Sequence, residues 1–83
     1  METLEVLVAT SDQKREDAFA VRHEVFVEDQ GVDEAIEYDA HDETATHFVA
    51  YDSDDPIGAA RLRECADSVG KVERVAVRES RRR

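Results

Sequence analysis

The chain has a single cysteine, Cys65, and no tryptophan among its 83 residues. One cysteine cannot form an internal disulfide, so we predict a reducing, cytoplasmic location. Cys65 has no obvious partner base in the sequence and is interpreted as a small residue near a strand end, not as a nucleophile. No apolar run approaches the length of a membrane span, and the N-terminus does not have the pattern of a signal peptide, so neither membrane insertion nor secretion is predicted.

Lysine is also scarce, at positions 14 and 71 only, and the formal net charge is -10. An acidic surface with few lysines argues against a general nucleic-acid-binding protein. It resembles the surfaces of cytosolic proteins from salt-accumulating microbes, in which dissolved salt screens the self-repulsion. The basic residues are concentrated at the end of the sequence, where residues 78–83 contain four arginines and one glutamate.

The first half of the sequence predicts a strand and one main helix. Residues 4–9 are apolar and rich in strand formers, and the helix that follows should extend to about Glu28. Thr10 and Gln13 have the spacing of a capping box, while Ser11 and Asp12 are alternative N-caps. Gly31 should end the helix.

The predicted helix carries an apolar stripe with helical spacing, made of Ala18, Val21 and Val25 with two phenylalanines beside it. Arg22 lies within this stripe. A guanidinium that faces a core needs a carboxylate partner, so Arg22 is interpreted as half of a structural ion pair, with substrate contact as the alternative.

Residues 32–45 are acidic and predict a loop or an irregular helix. They offer several oxygen and nitrogen donors that could hold a metal ion, but the spacing matches no known ligand motif. A solvated acidic loop is the preferred interpretation, and no metal site is predicted. The donors considered are Asp39, His41, Asp42, Glu43 and His47.

The second half predicts three strands, at residues 46–52, 57–63 and 71–77, with a turn at residues 53–56 between the first two. Short connections favour antiparallel neighbours. The predicted fold class is therefore α+β, with one main helix on a mostly antiparallel four-stranded sheet in the order strand, helix, loop and three strands.

Four segments resemble the N-terminal half of the GNAT superfamily of N-acetyltransferases, and more specifically its small uncharacterised bacterial and archaeal acyltransferases. The segments are AVRHEVFVEDQGV at 20–32, EYDAHD at 37–42, THFVAYDSDDPIGAARLR at 46–63 and KVERVAVRESRRR at 71–83. The resemblance implies a GNAT-like partial fold and a single, incomplete acyltransferase domain at residues 1–83. It also implies acetyl-CoA as co-substrate and direct transfer of the acetyl group to an amine that the sequence does not identify.

The resemblance also implies roles for the last strand and for the arginines after it. Val75, Ala76 and Val77 would present backbone groups to the pantetheine arm of acetyl-CoA, as an added strand would. Arg82 and Arg83 fall on the first two positions of the loop that holds the pyrophosphate, although the glycines of that loop do not follow. Glu73, interpreted as lying on the same face as Val75 and Val77, is the candidate general base, with a cross-strand ion pair as the alternative.

Two other functions remain open. The first is that of an acyl-homoserine-lactone synthase, a related enzyme family. The second is that of a non-catalytic interaction module that uses the exposed edge of the last strand, an edge that a homodimer would cover. The residues that echo the synthase family are Arg22, Val25, Phe26, Glu37, Asp39, Asp42 and Arg61.

Overall fold

A computed structural model describes residues 4–64 and 69–81. It confirms the α+β fold class, because four strands form one sheet beside one main helix. The strands are β1 (Leu4–Val8), β2 (Thr46–Asp52), β3 (Asp55–Glu64) and β4 (Gly70–Val77), and the α-helices are α1 (Asp12–Arg22) and α2 (Glu34–Glu37). The remaining helical segments are a π-helix at His23–Asp29 and 3₁₀ turns at Ala40–Glu43 and Glu79–Arg81.

The strands pair in sequence order, β1-β2-β3-β4, and every pair is antiparallel. The predicted hairpin of β2 and β3 is confirmed, but β3 begins at Asp55, earlier than expected. The turn is therefore shorter than the predicted residues 53–56. Ser53 makes the tight reversal with a left-handed backbone, at φ 54°. Proline remains compatible with a strand position close to such an end.

The main helix begins at Asp12, and its N-cap is Ser11, whose hydroxyl accepts a hydrogen bond from the Lys14 backbone N–H at 3.2 Å. The capping box predicted for Thr10 and Gln13 is therefore wrong, and the alternative cap is correct. The Gln13 side chain instead donates to Asp17, one turn further along the helix, at 3.0 Å.

The helix continues to Asp29, but its last part widens into a π-helix. There the Gln30 N–H donates to the Val25 carbonyl oxygen at 3.2 Å, five residues back. Gly31 then reverses the chain at φ 73°, which confirms the predicted break. π-Helical turns are uncommon and are enriched near functional sites.

The core lies between this helix and one face of the sheet. The predicted stripe is confirmed, because Ala18, Val21 and Val25 are all buried. They belong to one cluster with residues of the three later strands. The sheet residues in the cluster are Val49, Ala59 and Ala76.

The opposite face of the sheet is apolar and is exposed mainly along the two outer strands, β1 and β4. The register places Val6 beside Ala50, Ala50 beside Gly58, and Gly58 beside Val77, so these residues form one row across all four strands. Val6 is 71% exposed. Because the middle of the row has almost no side-chain volume, the face contains a shallow hollow of about 190 Å³.

Candidate functional site

The predicted cofactor strand, β4, lies at an edge of the sheet and contains a β-bulge. Ala59 lies opposite Ala76, whereas Arg61 lies opposite Glu73, so β4 has one extra residue between these two pairs. The irregularity coincides with Arg74, whose φ is 54°. A bulge interrupts the regular ladder, leaves a residue unpaired and bends the strand.

The bulge changes which side chains of β4 share a face. Glu73 and Ala76 lie opposite helix-facing residues of β3, so both face the helix layer. Val75 and Val77 line the hollow on the other face and are exposed. The prediction that Glu73 shares a face with the two valines is therefore wrong, because the extra residue at Arg74 shifts the alternation by one.

Glu73 is held by three basic side chains. Its Oε1 accepts hydrogen bonds from Arg63 Nε at 3.0 Å and from Arg61 Nη2 at 2.9 Å, and its Oε2 lies 3.3 Å from Lys71 Nζ. Hydrogen bonds from Arg63 and then Arg61 hold the pKa of Glu73 far below its ordinary value. The assignment of Glu73 as a general base stays a prediction, and these contacts favour the ion-pair alternative.

Arg22 confirms the predicted structural ion pair, since it is fully buried and contacts two carboxylates. Its Nε donates to Glu37 Oε1 at 2.9 Å, and its Nη1 donates to Asp42 Oδ1 at 2.8 Å. The guanidinium also lies 5.0 Å from the ring centroid of Phe19 and 5.3 Å from that of Tyr38. The main helix is thereby tied to both short segments of the acidic region.

Arg61 is the second buried arginine and joins the same cluster from β3. Its Nη1 donates to Asp39 Oδ1 at 2.8 Å and to Asp42 Oδ1 at 2.9 Å, while Nη2 reaches Glu73. Burial works to raise the pKa of Asp42, but hydrogen bonds from Arg22 and Arg61 outweigh it and lower that pKa. A hydrogen bond from Arg61 likewise lowers the pKa of Asp39.

Two of the candidate metal donors, Asp39 and Asp42, form ion pairs in this cluster, and a third, His47, contacts Asp42. Among residues 4–64 and 69–81, no group of three or more His, Cys, Asp and Glu side chains is arranged to hold a metal ion. His47 is buried, and its Nε2 lies 2.8 Å from the Asp42 carbonyl oxygen. The imidazole therefore braces the acidic region against β2.

A cavity of about 320 Å³ opens beside the bulge. Its walls come from the π-helix, the following loop, α2 and β4. It is mainly apolar, with one acidic and one basic side chain. The lining residues are Phe26, Val32, Ile36, Glu37, Arg74 and Val75. The cavity and the exposed β4 edge are therefore adjacent.

Three residues discussed from the sequence lie outside the described residues, namely Cys65, Arg82 and Arg83. The segment just before the two arginines is described. There Arg78 Nε donates to Glu24 Oε2 at 3.0 Å, and Arg81 forms an ion pair with Asp52. No helix in the described part of the chain is both long enough and apolar enough to cross a membrane.

The sheet order, the bulged edge strand and the helix layer form an α+β partial fold of the GNAT type. The profile of the Acetyltransferase (GNAT) family matches residues 10–83. The chain therefore belongs to the GNAT acetyltransferase family, which confirms the resemblance read from the sequence.

Individual relatives agree with this assignment. The uncharacterised N-acetyltransferase YjcF of Bacillus subtilis strain 168 is 39% identical over 79 residues, which cover 95% of this chain and 56% of YjcF. A crystal structure from Lactobacillus plantarum, described provisionally as an N-acetyltransferase, is 33% identical with a TM-score of 0.87, over 96% of this chain and 56% of that one. Escherichia coli ElaA shares the fold, at 23% identity and a TM-score of 0.76, over 99% of this chain and 59% of its own. The chain thus spans about half the length of these relatives.

Proposed function

We propose that this chain is an acetyl-CoA-dependent N-acetyltransferase domain that acetylates an amine by direct attack on the thioester. The observation that carries the proposal is the bulged edge strand, with Val75 exposed beside a cavity of about 320 Å³. An edge strand offers main-chain donors and acceptors that an extended ligand with amide groups can pair with. The pantetheine arm is such a ligand.

In this proposal the backbone of Val75, Ala76 and Val77 pairs with pantetheine, and Arg82 and Arg83 meet the pyrophosphate. Ala76 is 3% exposed and packs in the core, which anchors β4 at the edge of the sheet. Phosphate oxygens are well matched by guanidinium groups. In this proposal residues 1–83 belong to one acyltransferase domain.

The acceptor amine would approach through the cavity beside Val75. The lone pair of the neutral amine attacks the thioester carbonyl, a C–N bond forms, and the C–S bond breaks to release the coenzyme A thiolate. The proton lost by the amine balances the one that the thiolate gains. Since three basic side chains hold the Glu73 carboxylate, we assign the proton transfer to a chain of water molecules, with Glu73 as the alternative base.

The remaining parts of the proposal concern setting and partners. The low lysine content and the net charge of -10 support the proposal that the protein works in a salt-rich cytoplasm. The same features support the proposal that it does not bind nucleic acid. A homodimer in which two β4 edges meet would use the same edge as pantetheine, so we propose it only for the chain without coenzyme A. The relatives are described as N-acetyltransferases, which favours this activity over that of an acyl-homoserine-lactone synthase.

Titration of the ¹⁵N-labelled chain with coenzyme A, followed by amide spectra, tests the proposal. We expect micromolar binding with the largest shifts at residues 75–77. Adenosine 3′,5′-bisphosphate is the matched control ligand, because it lacks the pantetheine arm and should leave these amides nearly unchanged. No shift at residues 75–77 at millimolar coenzyme A would overturn the proposal, and a stable dimer alongside that result would support the interaction module.

A further inference from the structure

Arg74 has a backbone conformation that is costly for a residue with a side chain. Its φ of 54° lies in the left-handed region, although it sits within β4. Such a conformation costs about 1–2 kcal/mol for a non-glycine residue. Glycine would adopt it freely, yet the sequence places arginine here. Contacts of the Arg74 side chain can offset this cost.

The Arg74 guanidinium contacts the last carbonyl groups of α2. Its Nε donates to the Glu37 carbonyl oxygen at 3.3 Å, and its Nη2 donates to the Ile36 carbonyl oxygen at 3.4 Å and to Asp39 Oδ2 at 3.3 Å. Carbonyl groups at the end of a helix lack partners within it, and a cation there is favourable. Arg74 thus caps α2 from a neighbouring strand.

Glu37 connects this cap to the main helix. Its carbonyl oxygen also accepts a hydrogen bond from Arg22 Nη2 at 2.9 Å, and its carboxylate lies 3.4 Å from Arg74 Nε. Glu37 is 2% exposed. One buried residue therefore receives an arginine from α1 and an arginine from β4, which fixes α2 between them.

We propose that Arg74 is a positioning residue that holds the β4 bulge and α2 in a fixed relative position. Its backbone forms the bulge, and its side chain holds α2, so the two walls of the cavity keep a constant separation. This inference rests on the proposed function: Arg74 would align the strand that binds the cofactor with the cavity that admits the acceptor amine. Ile36 and Val75, on the two walls, are the residues whose separation it sets.

Three variants separate the two parts of this role. Arg74→Ala keeps the conformational cost but loses the cap, so we expect the bulge to relax, coenzyme A affinity to fall about tenfold and amide exchange at residues 36–39 to rise about tenfold. Arg74→Gly removes the cost, so coenzyme A affinity should stay within about threefold of the parent while exchange at 36–39 still rises. Arg74→Lys retains the charge and should give intermediate exchange.

The matched control is Arg78→Ala, which removes a similarly exposed arginine whose carboxylate partners are Glu24 and Asp55. It should leave amide exchange at residues 36–39 unchanged. A merely structural role for Arg74 predicts that glycine harms coenzyme A binding at least as much as alanine, and that order would overturn the proposal. Unchanged exchange at 36–39 in all three variants would overturn it too.

The role of Arg74 can be tested even if the proposed function is wrong. If the parent chain binds no coenzyme A, amide exchange at residues 36–39 still reports the cap. Cross-strand contacts between Ala59 and Ala76, and between Arg61 and Glu73, still report the bulge. Loss of the second contact in Arg74→Ala but not in Arg74→Gly is the expected result, and retention in both would contradict the role of the side chain.

Discussion

Arg22 and Asp42 are joined by two parallel hydrogen bonds, from Nη1 to Oδ1 at 2.8 Å and from Nη2 to Oδ2 at 3.3 Å. The same Oδ1 also accepts from Arg61, so one carboxylate compensates two buried guanidinium groups. The main helix and β3 meet the acidic region at this oxygen. The pair therefore adds an electrostatic connection to elements that also meet through the core and through the Phe19–Tyr38 ring contact.

We expect Asp42→Asn to destabilise the chain strongly. The amide cannot replace the lost charge, and a buried ion pair that loses one partner costs about 3–5 kcal/mol. Glu37 still pairs with Arg22, and two carboxylates still pair with Arg61, so we expect a loss at the lower end of that range. The measurement is urea denaturation followed by circular dichroism.

Asp55→Asn is the matched control, because Asp55 is exposed and pairs with the partly exposed Arg78. It should cost less than about 1 kcal/mol. Equal losses in the two variants would show that the buried cluster contributes no more than a surface pair.

The ion-pair cluster around Arg22 and Arg61 predicts how the stability of the chain depends on pH. The pKa values of Asp39, Asp42 and Glu73 are all lowered in the folded chain. Carboxylates of this kind contribute stability above their unfolded pKa, and that stability is lost as the pH falls through the folded pKa values. The thermal midpoint should therefore fall as the pH drops below about 4.5, the upper end of the ordinary carboxyl range.

Scanning calorimetry between pH 3 and pH 7 measures this dependence. Asp42→Asn, where it folds, should show a shallower fall because it has one fewer shifted group. A thermal midpoint that rises on acidification below pH 4 would contradict the lowered pKa values.

The sequence predicted those parts of the fold that depend on local patterns. Apolar spacing located the main helix and its buried stripe, and alternation located the strands. The position of Arg22 within an apolar stripe was enough to predict a carboxylate partner. These patterns report burial directly, since each side chain has its own preference for core or solvent.

The bulge and the charge cluster were not predicted in detail, because neither has a local signature. Left-handed backbone is usually marked by glycine or asparagine, but arginine occupies position 74, where contacts with α2 compensate. Because the bulge shifts the alternation of side chains along β4, Glu73 lies on the opposite face of the sheet from Val75 and Val77. Arg61 follows two alanines on β3, and small neighbours beside a charged residue in a buried strand were the available sign that it enters the interior.

At Gly31 the cost of a left-handed backbone can be measured without a change in side-chain packing. Its φ is 73°, and a Cβ added there would meet no atom within 4 Å. We expect Gly31→Ala to cost about 1 kcal/mol, because only the backbone preference changes. Urea denaturation measures it, with Gly31→Asn as the control, since asparagine tolerates this region and should cost less. No difference between the two variants would mean that the turn adjusts its backbone.

Tyr51 fastens β2 to the main helix through its hydroxyl group, which donates to Asp17 Oδ2 at 2.5 Å. Burial and then this hydrogen bond raise the pKa of Tyr51 to about 12. A group whose folded pKa is raised contributes stability below its unfolded pKa, so this contribution should be lost as the pH rises from about 10 towards 12. Absorbance at 295 nm during an alkaline titration reports the ionisation.

We expect Tyr51→Phe to lose about 1.5–3 kcal/mol at pH 7, because a hydrogen bond to a charged acceptor is removed. Tyr38→Phe is the matched control, since the Tyr38 hydroxyl donates to the neutral Phe19 carbonyl oxygen at 3.2 Å. It should lose less, about 0.5–1 kcal/mol, and should keep the alkaline fall in stability that Tyr51 causes. If Tyr38→Phe proves the more damaging change, the bond between Tyr51 and Asp17 is not what holds β2 to the helix.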